Sequence, residues 1–373
     1  MIFHTNSLDN RICPSYDPFS EVYDMKNSVK VVVLGTGHMG SGIIRLLLNK
    51  QGFELAGVYG RRKEREGMDV GEALGLGKKI GVALSSDCSS LLNNVSPDIV
   101  VQATSSTMKQ AEAEISAALN AGADVVSIAE EASYPWYGSA EIAGRLDSLA
   151  KKQGKTILGT GINPGFVLDY LVISMTGVCY NVSKVKATRI NDLSPYGYNV
   201  MTTQGVNLTR EAFEKGVADG SVVGHFGFPE SMSMIAAALG WEIDRIEQKR
   251  VPIISNVERD GGEAGTIKPG YTAGCNHTGI AYDRTGNPII ELYHPQQVHP
   301  EAEGQETGDY IEIFGEPNIK FSSGPEIPGG IGTIALAVNM IPKVIDADPG
   351  YKTMADLPAP SAIMSDVRKL LRK

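Results

Sequence analysis

Two adjacent carboxylates, Glu130 and Glu131, follow an apolar segment and precede an aromatic stretch that begins at Tyr134. A carboxylate at the end of a strand can take a proton from an ammonium group. It can then stabilise the iminium ion that forms when the amine carbon loses a hydride. The pair therefore predicts an enzyme that oxidises an amine. The alternative is that both acids lie at a helix N-terminus, where the helix dipole favours negative charge.

A glycine pattern upstream of these acids predicts a dinucleotide site. An apolar run at 31–34 leads into a turn with the pattern G-x-G-x-x-G, and apolar residues at helical spacing follow over 41–50. The three glycines allow a tight bend, close approach of the backbone to a pyrophosphate, and close packing of helix on strand. The helix N-terminus adds N–H donors and a positive dipole. We therefore predict that a nicotinamide dinucleotide contacts Gly35, Thr36, Gly37, His38, Met39 and Gly40.

The end of the second predicted strand indicates which dinucleotide binds. NAD-specific sites usually place Asp or Glu there, against the ribose 2′-hydroxyl, whereas this chain has Gly60, Arg61 and Arg62. A guanidinium can hold a 2′-phosphate with two parallel hydrogen bonds, and no carboxylate repels that phosphate. We predict NADP as the cofactor, with NAD also accepted. In the alternative, the arginines belong to a solvated helix start balanced by Glu64 and Glu66.

Two further strand ends carry polar residues, and ligands of doubly wound sheets bind at such ends. Ala103, Thr104 and Ser105 offer backbone donors and small hydroxyls near the expected dinucleotide. The alternative for this segment is a turn that caps the next helix. Asn163 offers an amide that can orient the substrate or the nicotinamide carboxamide, so we assign it to both sites.

In the second half of the chain, Arg189 and Asn191 alternate along a predicted strand and share one face of it. That pair suits a substrate carboxylate, and the alternative for Arg189 is a salt bridge within the domain. His225, His277 and His294 lack metal-ligand spacing, and we predict no metal site. Any one of them could shuttle a proton near neutral pH, but a structural or surface role is favoured for each alone.

Composition and charge argue against several classes of binding partner. The net charge of −9 and the lack of a sustained basic face argue against nucleic acid. The longest apolar segments are too short to span a bilayer, and no charged-then-apolar leader opens the chain. Cysteines at positions 13, 88, 179 and 275 show no paired or metal-ligand spacing and are typical of reduced thiols. We predict a cytoplasmic protein that acts on a small molecule, with no membrane partner.

The order of the elements predicts the fold. Strand-like and helix-like segments alternate from residue 29 to near Gly161, which requires a parallel sheet with helices on both faces. We therefore predict an α/β Rossmann domain, with a doubly wound parallel sheet, joined to an α+β domain on a largely antiparallel sheet. Strands are predicted at 29–34, 54–59, 98–103, 124–129 and 155–159, then at 184–190, 250–257, 278–282, 288–293 and 309–314, and helices at 40–50, 107–121 and 139–152.

A chain of 373 residues is long for one domain and predicts two, with additions at both ends. A close-packing helix at 332–341 is expected to return to the Rossmann domain, and the Pro- and Gly-rich segment 349–359 predicts an ordered surface loop. The segment that begins at Met25 resembles the natural start of a Rossmann protein. The alternative is that the preceding extension packs over the cofactor domain or a neighbouring subunit. The predicted divisions are an N-terminal extension at 1–24, the Rossmann domain at 25–162, a substrate-binding and dimerisation domain at 163–328, and a C-terminal segment at 329–373.

Several extended segments together resemble the 2,4-diaminopentanoate dehydrogenases, relatives of dihydrodipicolinate reductase and of the native amine dehydrogenases. The resemblance covers essentially residue 25 to the C-terminus, and no counterpart of residues 1–24 is evident. The segments that carry it are 127–135 (SIAEEASYP), 159–169 (GTGINPGFVLD), 189–197 (RINDLSPYG), 224–241 (GHFGFPESMSMIAAALGW), 294–297 (HPQQ), 305–310 (QETGDY), 325–342 (PEIPGGIGTIALAVNMIP) and 349–360 (PGYKTMADLPAP).

The resemblance implies reversible NAD(P)-dependent oxidative deamination of 2,4-diaminopentanoate to 2-amino-4-oxopentanoate with release of ammonia, a step of ornithine breakdown. It also implies a homodimer. By position, it implies a catalytic acid within the carboxylate pair, for which we favour Glu130, and a substrate pocket that includes Asn163, Arg189 and Asn191. His277, in the segment GCNH, joins the predicted substrate-binding residues.

Other functions stay open on the sequence alone. Related amine dehydrogenases use the same scaffold for simple amines and ketones. A dihydrodipicolinate-type reductase would need paired His and Lys donors, and this chain has no His-His doublet. A non-catalytic NADP sensor is the third possibility, and it predicts cofactor binding without turnover of amines.

Overall fold

The computed structural model of the chain describes residues 28–372 and contains two large sheets. The predicted extension at 1–24 and the predicted opening at Met25 lie outside the described residues. One large sheet is parallel and the other is mixed, with helices packed on both, so the predicted combination of a Rossmann domain with an α+β domain is confirmed.

The parallel sheet has seven strands, in the order β15-β6-β5-β4-β1-β2-β3. Helices cover both of its faces, so its central strands are apolar along their length rather than alternating, and Val31, Val32 and Val33 are fully buried. The strands that come first in the chain are β1 (Val29–Leu34), β2 (Phe53–Tyr59), β3 (Leu84–Ser85), β4 (Ile99–Gln102), β5 (Asp124–Ser127) and β6 (Thr156–Gly159). The helices between them are α1 (His38–Leu48), α2 (Val70–Ala73), α3 (Cys88–Val95), α4 (Met108–Asn120) and α5 (Ala140–Gln153).

The mixed sheet has six strands, in the order β14-β13-β7-β12-β11-β8, and only the pair β12 and β7 is parallel within it. A short hairpin of β9 and β10 lies beside it. The strands are β7 (Asn181–Asp192), β8 (Arg245–Ile254), β9 (Arg259–Asp260), β10 (Thr266–Ile267), β11 (Thr272–Tyr282), β12 (Pro288–Gln297), β13 (Gly308–Glu316) and β14 (Ile319–Ser323). The helices of this half are α6 (Tyr170–Thr176), α7 (Tyr198–Thr203), α8 (Arg210–Asp219) and α9 (Phe228–Leu239).

The inner face of the mixed sheet packs against α6 and α9. Apolar side chains such as Ile290, Leu292 and Ile311 fill most of that face. Toward one end of it, polar side chains replace the apolar ones, and Arg189, His277 and His294 are buried there. The interior of this half is therefore apolar at one end and polar at the other.

The C-terminal segment contains α10 (Gly329–Asn339), α11 (Ile341–Ile345) and β15 (Gly350–Lys352). Helix α10 packs against α1 of the parallel sheet, where a Cβ on Gly42 would lie 2.2 Å from Ile334. The prediction of a loop over 349–359 is wrong at Gly350–Lys352, where β15 pairs in parallel with β6 as the edge strand of the first sheet. Three residues are too few to show a strand pattern, and the partner strand is far away in sequence.

Several predicted strands of the mixed sheet begin too late. The structure begins β7 at Asn181, β8 at Arg245 and β11 at Thr272, where the predictions began at 184, 250 and 278. The first residues of β7 and of β8 are largely exposed. Buried alternation, which is the main signal of a strand, is therefore weak at both starts.

Candidate functional site

Backbone atoms, rather than side chains, shape the predicted dinucleotide turn. Gly35 has φ +123°, and a Cβ there would lie 2.6 Å from the carbonyl oxygen of Ala103 on the neighbouring strand end. A Cβ on Gly40 would lie 2.1 Å from the Gly35 carbonyl oxygen, whereas a Cβ on Gly37 would meet nothing within 4 Å. Helix α1 begins at His38 with its N-terminus at this open space. The turn therefore fits a pyrophosphate held by backbone N–H groups.

The arginines after β2 have different surroundings. The Arg61 guanidinium forms an ion pair of 3.2 Å with Glu114, whose other oxygen accepts hydrogen bonds from Gln102 and Thr104. Arg62 forms no side-chain hydrogen bond or ion pair within residues 28–372, and it lines a small cleft with Thr36 and Gly60. Of the two arginines, Arg62 is thus the one available to a ribose 2′-phosphate.

The hydroxyls after β4 are held in an internal network. The side-chain amide of Gln102 donates to Thr104 Oγ1 at 2.8 Å and to Ser105 Oγ at 3.0 Å. The Gln102 oxygen accepts from Ser127 Oγ at 2.6 Å. Ala103 lies under the glycine turn, so this segment supports the turn, and a direct contact of Thr104 and Ser105 with the dinucleotide stays a prediction.

The two adjacent carboxylates have separate environments. Glu131 Oε2 accepts a hydrogen bond of 2.7 Å from the backbone N–H of Met108, the first residue of α4. Both acids also lie in the first turn of the 3₁₀ helix Glu130–Ser133. Burial raises the pKa of Glu130, hydrogen bonds from its own backbone and from Ser106 oppose that rise, and the charge of Glu131 adds to it. The alternative of helix-terminal acids therefore holds for both, but only Glu131 also caps α4, so Glu130 is the carboxylate that is left for proton transfer.

A third carboxylate, Glu230, was not among the predicted site residues. It lies in the first turn of α9, only 7% exposed, and α9 packs against the 3₁₀ turn Glu130–Ser133. Burial and the charges of Glu131 and Glu130 raise the pKa of Glu230 to about 7. The sequence indicates Glu230 only as an acid within an apolar helical segment. An acid at the start of a helix is common without any catalytic role, so this pattern does not indicate a site.

Three histidines come together at the polar end of the mixed sheet. The ring of Phe228 stacks on His277 with ring centroids 4.6 Å apart and on His294 at 6.4 Å, while His225 lies edge-on to His294 at 4.7 Å. Asn163, from the loop after β6, reaches the same cluster, with Nδ2 3.4 Å from His294 Nδ1. No local pattern indicates this cluster, because the three histidines are distant in sequence.

These histidines are neutral. Burial lowers the pKa of His277 to about 3, and the nearby charge of Arg250 lowers it further. Burial, followed by neighbouring positive groups, also takes the pKa values of His225 and His294 well below the usual range. His277 Nδ1 accepts the backbone N–H of His225 at 3.0 Å, so the proton of the neutral ring is on Nε2.

The cluster contains buried polar atoms that the described residues leave without a hydrogen-bond partner. They comprise ring nitrogens and amide oxygens: Nε2 of His225, His277 and His294, and Oδ1 of Asn163, Asn191 and Asn276. Buried polar groups in folded proteins are nearly always satisfied by protein, water or ligand. The set offers acceptors for an ammonium group and Nε2–H donors for a carboxylate.

Arg189 is in a buried ion pair. Its Nη1 lies 2.6 Å from Asp309 Oδ1, with the two side chains 2% and 1% exposed, and its Nη2 donates to the carbonyl oxygen of Ile327. The alternative of a salt bridge within the domain is therefore what the structure shows. The positive charge of Arg189 still acts on His225 and His294, so Arg189 borders the histidine cluster.

The start of α10 connects the two ends of the site. A Cβ on Gly330 would lie 3.7 Å from His38 Nε2 in the dinucleotide turn, and one on Gly329 would lie 3.7 Å from Arg189 Nη2. The second would also meet the hydroxyl of Tyr196 at 2.5 Å. Helix α10 therefore begins between the dinucleotide turn and the polar cluster.

Further features of the described part of the chain concern a grouping of potential metal ligands, the thiols and the lengths of the helices. Asp192, His299 and Glu301 place potential metal-ligand atoms within 4.8 Å of one another, a grouping that the sequence did not predict. Cys88, Cys179 and Cys275 are free thiols. None of the helices within residues 28–372 is long and apolar enough to cross a membrane.

Comparison with known proteins identifies the family of the chain. A family model of the 2,4-diaminopentanoate dehydrogenase C-terminal domain matches residues 166–373, and one of the dihydrodipicolinate reductase N-terminus matches residues 29–127. The chain is 44% identical over 347 residues to a 2,4-diaminopentanoate dehydrogenase of Acetoanaerobium sticklandii, covering 92% of this chain and 97% of that protein.

Amine dehydrogenases are more distant relatives. One from Streptomyces virginiae is 24% identical over 90% of this chain and 98% of its own length. The solved structure of the amine dehydrogenase from Mycobacterium smegmatis has a TM-score of 0.79 and 28% identity, and the match covers 91% of this chain and 98% of that one. The same architecture thus extends to proteins named for amine oxidation.

Proposed function

Because the chain belongs to the 2,4-diaminopentanoate dehydrogenase family, whose members are oxidoreductases acting on amines, we propose that it deaminates 2,4-diaminopentanoate oxidatively and reversibly. The products are 2-amino-4-oxopentanoate and ammonia. The observation that carries the proposal is the half-buried carboxylate of Glu130, whose turn packs against α9. Phe228 of α9 stacks on the polar cluster, whose acceptors and donors match an amino acid.

Glu130 performs the proton transfer in this proposal. A hydride can leave an amine carbon only when the nitrogen has lost its extra proton, so the substrate ammonium first transfers a proton to the Glu130 carboxylate. A nicotinamide dinucleotide on the glycine turn supplies hydride acceptance when bound. Once Glu130 has released that proton to solvent, its carboxylate stabilises the substrate iminium ion, and water replaces the nitrogen, leaving a ketone and ammonia.

The polar cluster holds the rest of the substrate. Amide oxygens of Asn163 and Asn191 accept from the second ammonium group, and the Nε2–H groups of His277 and His294 donate to the carboxylate. Arg189 contributes its positive charge to that carboxylate rather than a free pair of N–H donors, because both of its Nη atoms are already engaged. Neutral histidines suit this role, since they donate without repelling the ammonium groups.

The choice of NADP over NAD follows from Arg62 and from the absence of a carboxylate at Gly60–Arg62. We further propose a homodimer in which the outer face of the mixed sheet takes part. That face carries partly exposed aromatic side chains, Tyr310 and Phe314, among ion pairs such as Lys184 with Glu291 at 2.6 Å. A cytoplasmic location and a role in ornithine degradation belong to the same proposal.

A simple-amine dehydrogenase is the second candidate, and the structural similarity to the enzyme of Mycobacterium smegmatis favours it. The two candidates differ in what fills the polar cluster. A simple amine has no carboxylate or second ammonium group that could satisfy the buried polar atoms of the cluster. We therefore rank the diamino acid first.

The test is the reduction of NADP⁺, followed at 340 nm, with 2,4-diaminopentanoate, with NAD⁺ in place of NADP⁺, and with 2-aminopentane as the matched amine. We expect turnover of the diamino acid and at least tenfold lower kcat/KM with the simple amine, the order of loss when buried polar groups stay unpaired. Activity confined to the simple amine would favour the second candidate, and no activity with either would contradict both.

A further inference from the structure

Glu230 is buried on the helix that packs against the turn of the reacting carboxylate, and the charges that act on it are those of Glu131 and Glu130. Its side chain lies in the first turn of α9, and this helix packs on the turn that carries Glu130 and Glu131. Within residues 28–372 Glu230 forms no ion pair, and its only hydrogen-bond partner is its own backbone amide. Three carboxylates thus lie in one region, in which Glu230 is buried and Glu130 and Glu131 are half-buried.

The elements packed around α9 supply no cation to this region. Helix α6 contributes Asp169, another buried acid, whose oxygen accepts from Ser231 at 2.8 Å. Strand β11 contributes His277 and strand β12 contributes His294, both neutral because burial lowers their pKa values. His225, beside them, is neutral for the same reason.

The guanidinium charges of Arg189 and Arg250 act on the histidines, whereas the charges that act on Glu230 are those of Glu131 and Glu130. Arg189 is moreover paired with Asp309. Several acids held together out of water cannot all ionise, because both desolvation and mutual repulsion oppose the charged forms. Either a proton or a cation from outside must therefore occupy the region.

We propose that Glu230 is a positioning residue that acts through Glu130, sharing one proton with it until the substrate ammonium provides the compensating positive charge. When the ammonium binds, the shared proton leaves to solvent. The ammonium then transfers one of its own protons to Glu130 before the hydride leaves the carbon. The inference rests on the proposed function, because it assumes an ammonium group beside Glu130.

The first test compares Glu230→Gln with the charge-conserving Glu230→Asp through the pH dependence of kcat/KM for 2,4-diaminopentanoate. Removal of a nearby negative charge lowers the pKa of Glu130. We therefore expect the acid limb of the Gln variant to move by about one pH unit toward lower pH. The Asp variant keeps the wild-type limb. An unchanged limb in a folded Gln variant overturns the inference, whatever its effect on kcat.

A second measurement does not depend on turnover. In wild-type protein labelled with ¹³C at glutamate side-chain carboxyls, the two carboxyls are expected to titrate as a coupled pair, and Glu230→Gln should leave one simple titration for Glu130. Independent titration in the wild type overturns the inference even if the variant does not fold. Absence of amine oxidation overturns the proposed function instead, so the two failures are distinguishable.

Discussion

The proposed site has two ends, which are built in different ways. The dinucleotide end is the glycine turn, and the amine end comprises Glu130 and the polar cluster. The dinucleotide end consists of backbone, shaped by Gly35, Gly37 and Gly40 within one short turn. The amine end consists of side chains from separate segments, including Glu130 after β5, Asn163 after β6 and His294 on β12. The first end is complete within its own segment, whereas the second exists only when the tertiary structure assembles it.

The two ends also differ in how their polar groups are satisfied. At the dinucleotide end, Arg61 and the hydroxyl of Thr104 are paired with Glu114. At the amine end, ring nitrogens and amide oxygens are buried without partners among the described residues, and Glu230 has no compensating cation. Unpaired buried groups cost free energy in the absence of a ligand, so the amine end is arranged for binding at the expense of stability.

The largest expected effect is on amine oxidation, with dinucleotide binding left almost unchanged. Glu130→Gln should lower kcat/KM for amine oxidation by about 10³-fold, because a positioned general base contributes about 10²- to 10⁴-fold. The dissociation constant for NADP⁺, measured by fluorescence, should stay within about twofold, since the glycine turn is untouched.

Glu131→Gln is the matched control for that experiment. It weakens the hydrogen bond to the Met108 N–H at the start of α4, so it should lower the melting temperature while turnover falls less than tenfold, as expected for a cap. Near-normal turnover in Glu130→Gln, or a greater loss in Glu131→Gln, would reverse the assignment of the two carboxylates.

The next effect concerns the buried ion pair at the border of the amine end. Arg189→Met leaves Asp309 buried and unpaired, which should lower the free energy of unfolding by about 4 kcal/mol in urea titrations. The double variant Arg189→Met with Asp309→Leu should recover most of that loss. A normal KM of the double variant for the diamino acid would show that Arg189 has a structural role alone. A raised KM, together with restored stability, would support a contribution of the Arg189 charge to substrate binding.

The same contrast explains how far the sequence predicted the molecule. The glycine turn, the parallel strands and the carboxylate pair at 130–131 each lie within one short segment, and their patterns indicate their structure directly. Glu230 and the grouping of His225, His277 and His294 depend on distant segments, so no local pattern indicates them. The partner of Arg189 was unpredictable for the same reason, because Asp309 pairs with it across β7 and β13.

A pH effect on stability follows from Glu230. A carboxyl whose pKa is raised on folding binds its proton more tightly in the native state, so its contribution is full below pH 4.5 and is lost as pH rises through about 7. Ionisation of Glu230 should cost the wild type about 3 kcal/mol by pH 8.5, a loss that Glu230→Gln lacks. Urea unfolding at pH 5 and pH 8.5 measures the difference, and parallel pH dependences would contradict a buried, uncompensated carboxyl.

At the dinucleotide end, substitutions should separate binding from folding. Gly37→Val places atoms in the open space of the turn, so the KM for NADP⁺ should rise at least tenfold, or about 1.4 kcal/mol, with little change in melting temperature. Gly40→Ala instead meets the Gly35 carbonyl and should lower the melting temperature itself. Equal effects of both variants on stability would show that the turn has no free space for a pyrophosphate.

The smallest expected effect distinguishes the two arginines after β2. Arg62→Ala should raise the KM for NADP⁺ by about tenfold and leave that for NAD⁺ unchanged, because only NADP carries the phosphate that a free guanidinium binds. Arg61→Ala should have a weaker effect on that ratio, since Arg61 is already paired with Glu114 at 3.2 Å. If neither variant changes the ratio of the two KM values, the arginines are a solvated surface. Discrimination between the cofactors would then depend on the loss of the carboxylate at Gly60–Arg62 alone.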